Sequence, residues 1–319
     1  MKKTILALSA ALLTVISVNA QEGKPSVKIF SNFNYDLSAE EGENAFKAFE
    51  IKRSYLGYSY KFDEKFSTKI TFDVGSNDGG SAYTAYLKVA TLQWKATDNL
   101  TLNIGQQGVK NFKFMEKAWG KRYIAKSAQD KYKWSSSSDQ GVTADYKLSD
   151  KLSFDAQVLN GEGYKKSQDN TGLMRGGLGM TYKAMDNLSL RLHHDITPRA
   201  TYTENDASQS ITTIAFAYSG NNFTLGGEKN LMKNVGNVLD AENDMMSVYG
   251  AYNLTDKYTL FARYDDASET AKAGTYTVYG IERQMTKGVT VALNMQSWTD
   301  AAEGSEAENT LYLNLEYKF

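Results

Sequence analysis

Residues 309–319 read NTLYLNLEYKF. Leu311, Leu313, Leu315, Tyr317 and Phe319 share one parity, while Tyr312, Asn314, Glu316 and Lys318 share the other. A period of two sends successive side chains to opposite faces of an extended chain. The segment therefore reads as a β-strand with one apolar and one wet face. Soluble domains usually trail off into polar, mobile residues, whereas here the alternation runs on to Phe319. The expectation is a last residue held inside a sheet that closes on itself.

The other end reads differently. The basic MKK is followed by the apolar run TILALSAALLTVISV and by small residues up to Ala20. A charged n-region, a short h-region and a small-residue cleavage site make a signal peptide over residues 1–20. The run is shorter than the roughly 20 residues of a spanning helix. An exported mature chain over 21–319 is expected. Without Lys2 and Lys3 it carries 34 basic and 37 acidic residues; the sum excludes neither partner nor substrate, since the distribution of charge matters more, and no nucleic-acid partner is expected. There is no cysteine, so stability cannot come from disulfides. Mean hydropathy is −0.48, and no second apolar run is long enough for a transmembrane helix.

One phrase recurs along the chain: KFDEKFSTKI, KATDNLTLNI, KLSDKLSFDA, KAMDNLSLRL, YSGNNFTLGG, NLTDKYTLFA and RQMTKGVTVA. Each joins a turn rich in Asp, Asn or Lys to an alternating strand, and Asp, Asn and Gly suit such turns. The strands open at Phe66, Leu100, Leu152, Leu188, Phe223, Tyr258 and Val289, at spacings of 34, 52, 36, 35, 35 and 31 residues. Polar stretches between them, with the long segment 110–138, supply eight opposite connections. Seven short turns and eight long loops join sixteen strands. That is the layout of an all-β, 16-stranded antiparallel transmembrane β-barrel, with short periplasmic turns and long extracellular loops. A strand crosses in about 9–11 residues and half of them face water, which explains the polar mean hydropathy. In the strand Tyr83–Trp94 the parity changes, and a bulge is expected near Val89–Thr91. A soluble β-sandwich also alternates. Against it stand the strict alternation of short and long connections, the terminal Phe319, and the aromatics Tyr58, Tyr60, Phe62, Tyr146, Tyr182, Tyr218 and Tyr252 near the turns, where an interfacial girdle would lie.

These features together resemble the bacterial outer-membrane porins over essentially the whole mature chain. The segment FEIKRSYLGYSYKFDEKFSTKITFDV is similar to the second hairpin of Bacteroidetes-type porins and, more loosely, of phosphate-selective porins. By this resemblance, Tyr317 and Phe319 form the signal read by barrel-assembly machinery. It also implies a homotrimer in outer-membrane lipid and lipopolysaccharide, passing small hydrophilic solutes.

The 52-residue spacing marks one insertion after the fifth strand. In the resembling porins the loop at this point, the third, folds inward to narrow the pore. From Lys110 to Lys133 it carries Lys110, Lys113, Lys117, Lys121, Arg122, Lys126, Lys131 and Lys133 against only Glu116 and Asp130. Such an excess in a narrow, low-dielectric passage concentrates anions; on a loop surface the same lysines would merely reach out to solvent. Phe112, Phe114, Trp119, Tyr123 and Trp134 would pack the loop on the wall, and Gly120 would let it bend. Inward parity adds a pore wall that includes Arg53, Lys69, Asp73, Arg191 and Arg263.

The adjacent His193 and His194, followed by Asp195, name no nucleophile, and no phosphate-loop, zinc or calcium spacing occurs. An enzyme, a cofactor and a metal site are therefore not expected, although Asp300, Glu303, Glu306 and Glu308 could bridge lipopolysaccharide through divalent cations. The sequence leads to an anion-favouring diffusion channel. A substrate-specific channel for phosphate or a similar anion, and a non-conducting adhesive or structural barrel, are the alternatives.

Overall fold

The computed structural model describes residues 23–76, 82–199, 203–269 and 273–319. The expected signal peptide, residues 1–20, and most of the SNDGGS connection lie outside the described residues. The first strands are β1 (Gly23–Asp36), β2 (Lys47–Lys61), β3 (Phe66–Ser76), β4 (Tyr83–Lys95) and β5 (Leu100–Gly108). After a long connection come β6 (Ser138–Lys147), β7 (Leu152–Leu159), β8 (Arg175–Met185), β9 (Leu188–Thr197), β10 (Gln209–Ser219) and β11 (Phe223–Lys233). The last are β12 (Glu242–Asn253), β13 (Tyr258–Glu269), β14 (Gly274–Thr286), β15 (Val289–Asp300) and β16 (Glu308–Lys318). All seven residues that the repeated phrase marks as strand openers begin strands.

The turns explain the repetition. In four of the seven turns a short polar side chain three residues before the opener accepts from the opener's backbone N–H. Asp63 Oδ1 does so for Phe66 at 2.6 Å, Thr97 Oγ1 for Leu100 at 3.0 Å, Ser149 Oγ for Leu152 at 3.1 Å and Thr255 Oγ1 for Tyr258 at 3.1 Å. The side chain completes a turn that the backbone alone would leave unsatisfied.

The sheet is a closed antiparallel barrel in sequence order, and β16 pairs back onto β1. Nine residue pairs form this seam, from Lys28 opposite Lys318 to Asp36 opposite Thr310. Val27 and Phe319 lengthen it by exchanging both backbone hydrogen bonds, at 2.9 and 3.1 Å. Phe319 is thus part of the wall.

The two faces are inverted relative to a soluble sandwich. Leu56, Ile70, Leu192, Leu260, Leu293 and Leu313 point outward and remain 41–49% exposed, while Asn32, Asn34, Thr143, Asn230, Asn294 and Asn314 are buried inside. An apolar outer band with a polar interior suits a hydrocarbon surround. Tyr58, Phe62, Tyr146, Tyr182 and Tyr252 lie exposed beside the short turns, as an aromatic girdle requires.

Two bulges redirect side chains inward. Between β1 and β2 the register steps from Phe30↔Arg53 to Ser31↔Ile51, leaving Lys52 as the extra residue. Between β3 and β4 it steps from Thr71↔Val89 to Phe72↔Leu87, leaving Lys88. The parity change expected at Val89–Thr91 thus falls one residue earlier, at Lys88.

The outward face makes a stability prediction. Leu192→Arg is expected to weaken folding into lipid vesicles by about 2–4 kcal/mol in a urea titration, the cost of a cation near mid-bilayer. The inward, exposed Lys69→Ala should stay within about 0.5 kcal/mol.

Candidate pore constriction

The connection between β5 and β6 folds into the lumen. It carries two short helices, α1 (Lys113–Trp119) and α2 (Ala128–Lys131). Gly120 ends α1 with a left-handed φ of 66° and donates its N–H to Glu116 O at 3.0 Å, a helix stop that favours glycine. This is the bend expected of Gly120.

Inward-facing apolar residues of the wall receive the loop. Trp119 and Tyr123 pack with Phe30, Tyr249, Phe261, Tyr276 and Val278. Ala128 and Trp134 pack with Ile211, Met232 and Met245, and Phe112 and Met115 pack with Leu159 and Ala215. These wall residues occupy the parity that is polar elsewhere in the barrel. Polar contacts fix the loop's position: Gln129 Nε2 donates to Asn230 Oδ1 at 2.6 Å and to Thr213 Oγ1 at 2.8 Å, and Tyr132 OH donates to Asp265 at 3.2 Å. Arg191 donates to the Lys110 carbonyl at 3.0 Å, Asn314 to the Tyr123 carbonyl at 3.3 Å, and Arg263 to the Lys126 carbonyl. Irregular backbone inside a membrane protein must be satisfied in this way.

The expected cations therefore separate into groups. Lys110 is buried, with Nζ 2.5 Å from Asp145. Lys121 is buried on Glu282 at 2.7 Å and lies over the Phe261 ring. Lys131 sits 3.6 Å from the centre of the Tyr276 ring, and Lys133 is exposed. Lys113, together with the wall residue Lys69, lines a turn-side chamber, and Lys117 lines a second one. Arg191 and Arg263 face inward but lie beneath the loop, buried on Asp155 and Asp265.

Arg122 and Lys126 form the remaining pair. Both bind Asp130, at 3.1 and 3.2 Å. Arg53 and Lys88 share the fully buried Asp73, at 3.1 and 3.6 Å. Arg122 is within electrostatic range of Tyr55 and Lys88, and Lys126 of Arg53. Two carboxylates are thus each bridged by two cations, with Asp130 also within electrostatic range of Arg53 and Lys88, and with Glu116 nearby. The next loop adds Tyr164 and Lys165 to the same cluster.

Burial lowers the pKa of Lys113 and Lys126, with Asp145 and Asp130 acting in the opposite sense; partial desolvation and the Arg53 charge lower that of the exposed Lys165, against Asp73. Burial raises the phenol of Tyr123, and its hydrogen-bond partner Glu282 raises it further. Parity could have flagged Lys88, because its bulge is the parity change. For Tyr164 and Lys165 the sequence held no signal, since local periodicity does not encode where a loop points. His193 is buried with neither ring nitrogen hydrogen-bonded to the described protein, and His194 shares a 2.9 Å bond with Thr212 on the outer face. Among the described residues no group of three His, Cys, Asp or Glu side chains gathers to hold a metal ion.

The fold is a closed sixteen-stranded antiparallel barrel, similar to those of solved porins. The chain aligns over 93% of its length with the anion-selective porin from Comamonas acidovorans (TM-score 0.70, 11% identity, 99% of that chain). Over the same share it aligns with the Salmonella typhi OmpF–daunomycin complex (TM-score 0.68, 13% identity, 97% of that chain). The outer-membrane channel DcaP of Acinetobacter baumannii aligns as well (TM-score 0.66, 13% identity, 97% of that chain). No protein-family model and no curated protein sequence matches the chain.

The indole of Trp119 joins the loop to Tyr249 and Phe261 at ring distances of 5.6 and 6.4 Å, and its Nε1 donates to Ala125 O at 2.9 Å. Trp119→Ala is expected to cost about 3–5 kcal/mol of folding stability. It should also enlarge and destabilise the single-channel current, because the loop loses its anchor.

Proposed function

We propose that the chain is a bacterial outer-membrane porin, a water-filled channel for passive diffusion of small hydrophilic solutes and ions with a preference for anions. The observation that carries this reading is the pair of cation-bridged carboxylates, Asp73 and Asp130, inside a closed sixteen-stranded barrel. Sixteen strands leave room for an aqueous passage, and four cations on two carboxylates give the narrow part a net positive field. Selection then follows from size and electrostatics, with no chemical step. The structural likeness to a porin described as anion-selective supports the sign of that preference.

Export through a signal peptide over residues 1–20, an assembly signal in Tyr317 and Phe319, and contact with lipopolysaccharide belong to the same proposal. So does a homotrimer; a structurally similar Vibrio cholerae outer-membrane protein is described in a trimer form. The Bacteroidetes-type assignment rests on the second hairpin alone. A phosphate-type specific channel is favoured by the clustering of cations and predicts block by its solute. The dense packing of the third loop favours a barrel with a closed lumen, which predicts no current.

The test is ion current through the refolded mature protein in a planar bilayer under a potassium chloride gradient. Stable open steps with a reversal potential favouring chloride are expected, and cation preference would remove the electrostatic reading. The preference should also weaken as pH rises from 7 towards 10, sooner than ordinary lysines would allow. An ammonium is charged below its pKa, and those of Lys113, Lys126 and Lys165 are lowered. Reversal potentials across a pH series check this sign.

A further inference from the structure

We propose that the loop joining β7 and β8 is a second constriction element, in which Tyr164 latches onto Asp73 and holds the Lys165 ammonium in the passage as the free charge that sets anion preference. This rests on the channel reading above.

The loop begins NGEGYKK at residues 160–166. Loops normally run over the surface at the ends of the elements they join, but this one crosses to the far side of the third loop's root. Tyr164 OH donates to Asp73 Oδ2 at 2.6 Å, four strands away from β7. Tyr164 meets the Tyr86 ring of β4 edge-on at 6.2 Å, and Lys165 Nζ lies 4.5 Å from the centre of that ring. Its base is pinned by Gly161 N–H to Asp139 Oδ2 at 2.8 Å and by Tyr164 N–H to Ser138 O at 3.0 Å. Gly163 has a φ of +85°, and a Cβ there would stand 2.3 Å from Ser136 Oγ, so only glycine lets the loop pass.

Asp73 is an apt catch for the latch. Its carboxylate is fully buried and already carries Arg53 and Lys88, so a neutral phenol completes its hydrogen bonds without adding charge. Burial and this hydrogen bond raise the Tyr164 pKa, which keeps the phenol a donor. Charge accounting then singles out Lys165. Arg53 and Lys88 are bridged by Asp73, and Arg122 and Lys126 by Asp130. Lys165 is exposed and makes no ion pair within 4.0 Å among the described residues. It nevertheless lies in electrostatic range of Arg53, Lys88 and, on the third loop, Lys126, with Asp73 acting in the opposite sense. A passing anion therefore meets in Lys165 a cation that no carboxylate bridges directly, Asp73 offsetting it only from beyond ion-pair distance.

The experiment compares the mature protein with Lys165→Ala, Tyr164→Phe and the double variant in planar bilayers. Lys165→Ala should lower the chloride-over-potassium permeability ratio about twofold, the effect of one charge several ångströms from the ion path in water. Tyr164→Phe keeps the ring but removes the donor. It should lower the ratio by a similar factor and raise single-channel conductance, because the loop leaves the passage. The double variant should fall no further than either single one, since both remove the same charge from the same place. A Tyr164→Phe channel indistinguishable from the parent would overturn the latch. An anion-selective parent whose ratio is unchanged by Lys165→Ala would overturn the role of Lys165. A parent that conducts nothing, or prefers cations, defeats the channel reading itself and is seen before any variant is made.

Discussion

The seam between β1 and β16 is the constraint on which the rest depends. Inside hydrocarbon an unpaired backbone N–H or C=O costs several kcal/mol, so a sheet can span a membrane only by closing. Closure over sixteen strands forces the apolar side chains outward and leaves a lumen too wide for the wall's own side chains to fill. A wide polar lumen then needs an inserted element to narrow it. The 29-residue connection after β5, residues 109–137, does this.

That connection behaves like a small soluble core turned inside out. Its Trp119, Tyr123, Trp134, Phe112 and Met115 are buried against wall residues that break the polar parity of their strands: Phe30, Met245, Tyr249, Phe261 and Val278. Burial of this apolar surface supplies the driving force. The guanidinium groups of Arg191 and Arg263 meanwhile satisfy carbonyls of the irregular backbone. Residues that alternation assigns to an open pore wall thus serve to hold the loop. The remaining positive charge inside the barrel comes from the groups bridging Asp73 and Asp130, from Lys165 beside them, and from Lys69, Lys113 and Lys117 in the chambers.

Much of the fold was legible because strand alternation and turn chemistry are local. Asp63, Thr97, Ser149 and Thr255 each act on a backbone group three residues away, so their phrase repeats visibly and dates each strand opening to the residue. The third loop was legible as a long, basic, aromatic insertion; that it turns inward followed only from the resemblance to porins. Its charges were legible only as a set of eight. Burial of Lys110 on Asp145, and of Lys121 on Glu282, depends on partners 35 and 161 residues distant, and no local pattern couples them.

By itself, then, the sequence determined the strand meter, which face of each strand is apolar, and a basic insertion after the fifth strand. All of these follow from side-chain periodicity and nearest-neighbour backbone chemistry. Only the tertiary structure decided which charges meet. Lys88 reaches Asp73 through a single extra residue in β4, and Tyr164 reaches the same carboxylate from a loop four strands away. Those encounters depend on how a closed wall and two inward loops share one volume, and packing in three dimensions is the physical term that a one-dimensional pattern does not contain.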